Sequence, residues 1–291
     1  MLITSSICVK TANILFQENG LPDEGSVSML NRHRIVQYLF LDMSDCLGEK
    51  WNHLVNKLIK FPAAFSVPPS MIKLTQAFWL LDHGLFDEAL EMLLDPLIHG
   101  NDILLWQHRA ILVAFLVQNQ PKLALKYSKI RLPPQKDMFD VQLNVAILLA
   151  NGMVHEAFQF QRQKGRNSEN ERIELLSYFF CKAEVLGKLD SILQLRLTKD
   201  EEKALEHYLK GGVSANTNVR QQVLLMYYLE RSRFSEAKSL NNYLEKQEKS
   251  TLEKNGLPEN TRKAIMQRYA HRLTSVCGDS ENRGSNKFKD R

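Results

Sequence analysis

Two acid–histidine steps are the places where the residue types of this chain could do chemistry. Asp82-His83 closes the stretch "AFWLLDHG", and His155-Glu156 opens "HEAFQ". An aspartate beside a histidine can orient an imidazole for general-base work. This one stands at the end of a predicted helix, where a histidine in the last turn also complements the helix dipole, so cap and packing is the expected role. "HEAFQ" begins like a zinc-protease helix, but the second metal ligand would have to be residue 159, which is Gln159. "GVSAN" is not a nucleophile elbow, and "LGKLDS" lacks the upstream glycine of a phosphate-binding loop. "EEKALEHYLK" reads as an amphipathic helix whose acids form a solvated face. Cys8, Cys46, Cys181 and Cys277 are scattered without a C-x-x-C pair and are expected to be small buried hydrophobes. No catalytic residue, metal site, cofactor or small-molecule substrate is expected, and the chain reads as a non-enzyme.

Binding chemistry has one candidate. Arg262, Lys263, Arg268 and Arg272 fall near helical spacing in "TRKAIMQRYAHRL", with Tyr269 beside them. Such a stripe can hold a phosphate backbone or an acidic partner. From Glu245 to the end there are eleven Lys or Arg against seven Asp or Glu, which holds most of the formal net charge of +5. A solvated, partly disordered end accounts for the same composition. "NRGSNK" lacks the flanking residues of a minor-groove hook.

These residues must be positioned by helices. Only 13 glycines and 9 prolines in 291 residues speak against a turn-rich β fold, and period-two alternation is absent over any useful length. No apolar run approaches the ~18 residues of a membrane span, and the N-terminus is a poor signal peptide. A soluble intracellular protein with no membrane insertion is therefore expected.

"SMIKLTQAFWLLD" has apolar residues at helical spacing, stops at Gly84, and "FDEALEMLL" resumes the period. A glycine after the last turn takes the left-handed conformation without a Cβ penalty and lets the chain reverse. The same break is expected at Asn119, Gly152, Gly187 and Ser232, at intervals of 35, 33, 35 and 45 residues. Five residues after the breaks stand Ala89, Ala124, Ala157, Ile192 and Ala237. Three residues before them stand Leu81, Leu116, Leu149, Glu184 and Leu229, so the fourth copy departs at both positions. Repeated helix pairs of this length predict an all-α fold, an irregular α-solenoid of stacked antiparallel helix pairs. Capping boxes are expected at "SENE" (168–171) and "TKDE" (198–201), proline stops at "FSVPP" (65–69) and "IRLPP" (130–134), and a loop at 18–26. The expected organisation is a partly ordered segment over 1–30, the solenoid over 31–250, a basic helix over 251–276 and a disordered tail over 277–291.

One group of residues is more specific than the repeat. Ile72-Lys73-Leu74, Gln76, Phe78-Trp79-Leu80, Asp82-His83, Asp95-Pro96, Trp106-Gln107-His108 and Ala124-Leu125-Lys126-Tyr127 follow in register. This group resembles the central α-helical domain of the ELYS family, the AT-hook-containing nucleoporins, and a weaker resemblance runs from about Val36 to about Lys246. The resemblance implies a scaffold that docks on nucleoporins of the outer-ring, Y-shaped complex at the nuclear pore and nuclear envelope. It reaches neither the β-propeller nor the AT-hook region of large family members, so chromatin binding is not carried across with it. A plant ubiquitin ligase shares such a domain, but no Cys/His RING stands here to imply that activity. An adaptor binding nucleic acid or chromatin through the basic C-terminal helix is the alternative. Phe78, Trp79, Asp82, His83, Trp106 and His108 are expected to be structural, with both tryptophans in the core.

Overall fold

The computed structural model describes residues 25–47, 60–165, 168–211 and 217–250, with single positions at 53, 57, 264 and 267. Among the described residues it holds thirteen α-helices, one 3-10 turn and no β-strand. In chain order these are α1 (Gly25–Leu47), α2 (Phe61–Ala64), α3 (Pro69–Asp82), α4 (Phe86–Leu93), α5 (Leu105–Val117), α6 (Pro121–Arg131) and α7 (Met138–Ala150). Then follow α8 (Val154–Lys164), α9 (Glu169–Val185), α10 (Leu189–Ile192), α11 (Lys199–Lys210), α12 (Thr217–Glu230) and α13 (Phe234–Ser250). Two compact units divide between Asn151 and Gly152, at the third of the expected breaks. No helix among the described residues is long and apolar enough to cross a membrane.

All five expected breaks have the left-handed backbone: Gly84 at φ +76°, Asn119 at +56°, Gly152 at +76°, Gly187 at +65° and Ser232 at +57°. Four close with the same pair of hydrogen bonds. Gly84 N donates to Leu81 O and Leu85 N to Leu80 O, and the pattern repeats at Asn119–Gln120, Gly187–Lys188 and Ser232–Arg233. The residue three before the break is thus the one whose carbonyl receives the turning amide. The five residues that follow the breaks at the fifth position, Ala89, Ala124, Ala157, Ile192 and Ala237, are all buried. The four alanines sit one turn into the second helix, where a small side chain lets its partner approach, while Ile192 ends the short α10.

In the first unit α3 pairs with α4 and α5 with α6, while α1 packs on α3, α4 on α6 and α5 on α7. The hairpins stack as in a solenoid, with α5 on α7 and α4 on α6, and α6 also packs on α7. The core runs through Leu74, Phe78 and Leu81 of α3, Leu90 and Leu93 of α4, Ile111 and Phe115 of α5, and Tyr127 of α6. Each such side chain contributes roughly 1.5–3 kcal/mol by leaving water. In the second unit α8 packs on α9, α9 on α10 and α11, α11 on α12, and α12 on α13.

Some local expectations change. Thr198 and Glu201 form the reciprocal capping box. Ser168 holds the cap position of α9 but its hydroxyl makes no cap bond. "IRLPP" ends α6 as expected, with Leu132 in the left-handed region at φ +47°. "FSVPP" does more than stop a helix: Ser66 turns at φ +51°, and Pro69 opens α3, where its missing amide costs nothing. The loop expected over 18–26 yields its last two positions to α1, which starts at Gly25. Cys46 and Cys181 are exposed rather than buried, and Cys8 and Cys277 lie outside the described residues.

Candidate functional site

The polar residues singled out in the first unit find one another. Along the α1–α3 seam, Tyr38 Oη donates to Asp82 Oδ2 at 2.6 Å and Trp79 Nε1 donates to Asp42 Oδ1 at 2.6 Å. His83 Nδ1 lies 2.8 Å from Trp79 O, an acceptor only, so this nitrogen carries the proton. The imidazole stacks on Trp79 with ring centres 3.9 Å apart, and its Nε2 faces Asp42 Oδ1 at 3.6 Å. Asp82 and His83 are directed to different partners on α1, and together they clamp two helices. Phe78 is buried, but Trp79 is only half-buried, since its indole spans the seam to reach Asp42. Trp106 is also half-buried; the two residues after it turn inward instead.

Those two residues explain the Trp-Gln-His wording. Gln107 Oε1 accepts from Leu104 N at 2.9 Å, capping α5. His108, 2% exposed, places Nδ1 2.7 Å from Tyr127 Oη, the tyrosine of Ala-Leu-Lys-Tyr on α6. Burial lowers the His108 pKa to about 4, and the nearby Arg131 charge adds to the effect, so the imidazole is neutral at ordinary pH. Burial also raises the Tyr127 phenol. Arg131, at the end of α6, donates to Leu93 O at 2.8 Å, Ile98 O at 2.7 Å and Asp95 O at 3.0 Å. It thereby closes the carboxyl end of α4 with a charge of the favourable sign. Lys73 of Ile-Lys-Leu pairs with Asp95 of Asp-Pro, which also accepts from Leu97 N at 2.9 Å. The Lys73 ammonium and the Leu97 amide hold the Asp95 carboxyl below its usual range.

Spacing alone did not single out a further lock, Arg109 on α5. It donates to Asp140 Oδ1 at 2.6 Å and Oδ2 at 2.9 Å, and to Asp137 Oδ2 at 2.5 Å. Asp137 and Asp140 cap α7 reciprocally. The Asp-x-x-Asp of "DMFD" was the available signal, an aspartate version of the capping box.

The second unit carries its ion pairs between helices. Arg162 of α8 donates to Glu201 Oε1 at 2.7 Å and to Arg196 O at 2.9 Å. Glu184, where the other copies have leucine, accepts from Arg220 Nε at 2.9 Å and from Tyr208 Oη. Its side chain is 5% exposed, and Arg220 also lies 4.6 Å from the Tyr208 ring centre. Glu206 accepts from Arg233, from Lys210 at 3.0 Å and from Tyr228 Oη at 3.1 Å. The acids of α11 are thus not a plain solvated face. Burial pushes the Glu201 and Glu206 carboxyls up, but their cationic partners outweigh it and hold both below the usual range.

Nothing in these locks is arranged around a reacting atom. Among the described residues no three His, Cys, Asp or Glu side chains could hold a metal ion, and His155 is exposed. Arg262, Lys263, Arg268 and Arg272 lie outside the described residues.

The profile of the ELYS family, described as nuclear pore complex assembly, matches residues 14–212. Protein ELYS of Xenopus laevis is 30% identical over 252 residues, covering 85% of this chain and 10% of that protein. Protein ELYS of Homo sapiens is 30% identical over 213 residues, covering 73% of this chain and 9% of that protein. The chain therefore spans about a tenth of the length of these relatives. The matched region takes in α1 to α11, including every lock of the first unit. With its wording turned into geometry and most of its length matched, this chain belongs to the ELYS family of nuclear pore complex assembly.

Proposed function

We propose that this chain is a non-enzymatic scaffold of the nuclear pore that holds nucleoporins of the outer-ring complex against its helical faces. The supporting observation is where its chemistry is placed. Histidines, acids and arginines that could serve a reaction are used to lock helix to helix, as in His108–Tyr127 and Arg109–Asp140. Apolar side chains remain outside: Val113 and the 73%-exposed Val117 follow one edge of α5, with half-buried Trp106 on the same edge and exposed Phe139 on neighbouring α7. Rigid helices with apolar side chains exposed suit recognition of protein surfaces. Affinity purification of the tagged chain should recover outer-ring nucleoporins, and imaging should show a nuclear rim. Recovery of none of them, with diffuse staining, would overturn the reading. Val117→Glu should reduce recovery without unfolding the chain.

A second reading rests on the excess of eleven Lys or Arg over seven Asp or Glu from Glu245 onward. In that reading the basic end binds chromatin or DNA phosphates. Neutralising Arg262, Lys263, Arg268 and Arg272 should then abolish salt-sensitive DNA binding, and unchanged binding would dismiss it.

A further inference from the structure

The second helices of the first two hairpins, α4 and α6, lie side by side, and their outer faces carry opposite charge. On α4 the exposed charged side chains are Asp87, Glu88 and Glu91; on α6, where Ile130 is exposed beside them, they are Lys122, Lys126 and Lys129. None of these six has an ion-pair partner within 4.0 Å among the described residues. The positions correspond. Asp87 and Lys122 each stand three residues after their turn, and Glu91 and Lys126 each stand seven after it. Equivalent offsets on two equivalent, stacked helices put the members of each pair at one height and on one side. Exposed apolar residues follow both helices: Leu97 stands four residues past the end of α4, and Leu132 directly follows α6.

Leu132 adds a second observation. It is 75% exposed and holds a left-handed backbone, φ +47°, that a branched side chain adopts only at a cost. Asparagine or glycine would sit there with less cost, so an exposed apolar side chain stands on a strained backbone directly after α6.

We infer that this face is a self-complementary docking surface and that its occupant is a second copy of this chain. A two-fold axis lying in the interface, parallel to α4 and α6 and between them, places each copy's α4 over its partner's α6. The axis preserves height, so Asp87 of one copy meets Lys122 of the other, Glu91 meets Lys126, and both pairs occur twice. Leu132 of each copy, directly after α6, borders the contact. A phosphate backbone or an anionic membrane surface fits this face less well, because each would meet the acidic strip of α4 together with the lysines. A closed two-fold contact uses both strips at once.

The surface is small and charged, so the dimer it supports is weak and salt-sensitive. Sedimentation analysis of the full 291-residue chain, up to about 100 µM at low salt, should show a monomer–dimer equilibrium that shifts toward monomer in high salt. Lys122→Glu with Lys126→Glu should weaken it at least about tenfold, and so should Asp87→Lys with Glu91→Lys. An equimolar mixture of these two variants should dimerise again, because each strip then meets its opposite. Leu132→Asn should weaken the dimer while raising the melting temperature of the monomer, a combination that a purely structural role would not produce. A wild-type chain that stays monomeric throughout overturns the inference. So do charge variants that, with unchanged circular dichroism, dimerise like the wild type, or a mixture that fails to restore association. Recovery or loss of outer-ring nucleoporins does not bear on this test, since it uses the isolated chain alone.

Discussion

His108 offers a measurable consequence of burying an imidazole. Its pKa falls from 6.5 to about 4 in the folded chain, because burial strips the charged form of water and Arg131 repels it. The unfolded chain has no such restraint. Between those two values the unfolded state binds a proton that the native state refuses, so stability falls as the solution is acidified. This lowered histidine contributes nothing to pH dependence above about pH 7 and destabilises progressively below its ordinary value. One pKa unit corresponds to about 1.4 kcal/mol, which gives a loss of about 2 kcal/mol on going from pH 7 to pH 5. The full loss is about 3 kcal/mol once the native imidazole itself titrates. Chemical unfolding followed by tryptophan fluorescence reads this directly, because Trp79 and Trp106 fall in the first unit with His108. His108→Asn keeps an acceptor near Tyr127 Oη but removes the titration. The variant should be less stable at neutral pH yet flatter between pH 7 and pH 5. If wild type and variant lose stability in parallel over that interval, burial of a neutral His108 is refuted.

Three further outcomes follow from the same geometry. Gly84→Ala, Gly152→Ala and Gly187→Ala should each cost about 1 kcal/mol in thermal unfolding, because each glycine has a positive φ, whereas Asn119→Gly should be neutral or mildly stabilising. Arg220→Met should destabilise by about 3 kcal/mol in urea by leaving Glu184 buried without its cation, and adding Glu184→Leu should recover most of that loss. Asp140, Glu201 and Glu206 have lowered pKa values, so their contribution is present above the ordinary carboxylate range and disappears as pH falls through the lowered values. Acid titration should therefore show a second loss below about pH 4, reduced in Arg162→Met; a titration that stays flat there would count against the ion pairs.

The turns were legible because a left-handed backbone restricts residue type sharply. Glycine or asparagine marks four of the five breaks, and the fifth, Ser232, was reached only through its register with Leu229 and Ala237. The alanine after four of the five turns was legible for a related reason, since close helix approach excludes bulk there. The partners of the polar side chains were not legible. Arg162 meets Glu201 at 39 positions' separation, and Arg220 meets Glu184 at 36, beyond any local period. Arg131 binds main-chain carbonyls, an acceptor present at every residue and therefore silent in a sequence. Glu184 alone gave a hint, as the acid standing in a leucine register. Trp79 and Trp106 were expected in the core from the apolar runs around them, but a helix that is apolar on several sides does not declare which side is outermost. The family wording was legible as wording. Its meaning, that Lys73 is paired with Asp95 and His108 with Tyr127, required the fold.

The spans of those bridges also bear on how the chain comes to be folded. His108 and Tyr127 are 19 positions apart, and Tyr38 and Asp82 are 44. A bridge of that span can close as soon as one more helix pair has left the ribosome, without waiting for the distant end of the polypeptide. Low separation between interacting residues also shortens the search for native contacts. Each positive-φ turn thus serves as a place where synthesis and folding can keep pace, and a newly made hairpin need expose its apolar side only until the next one is laid on it.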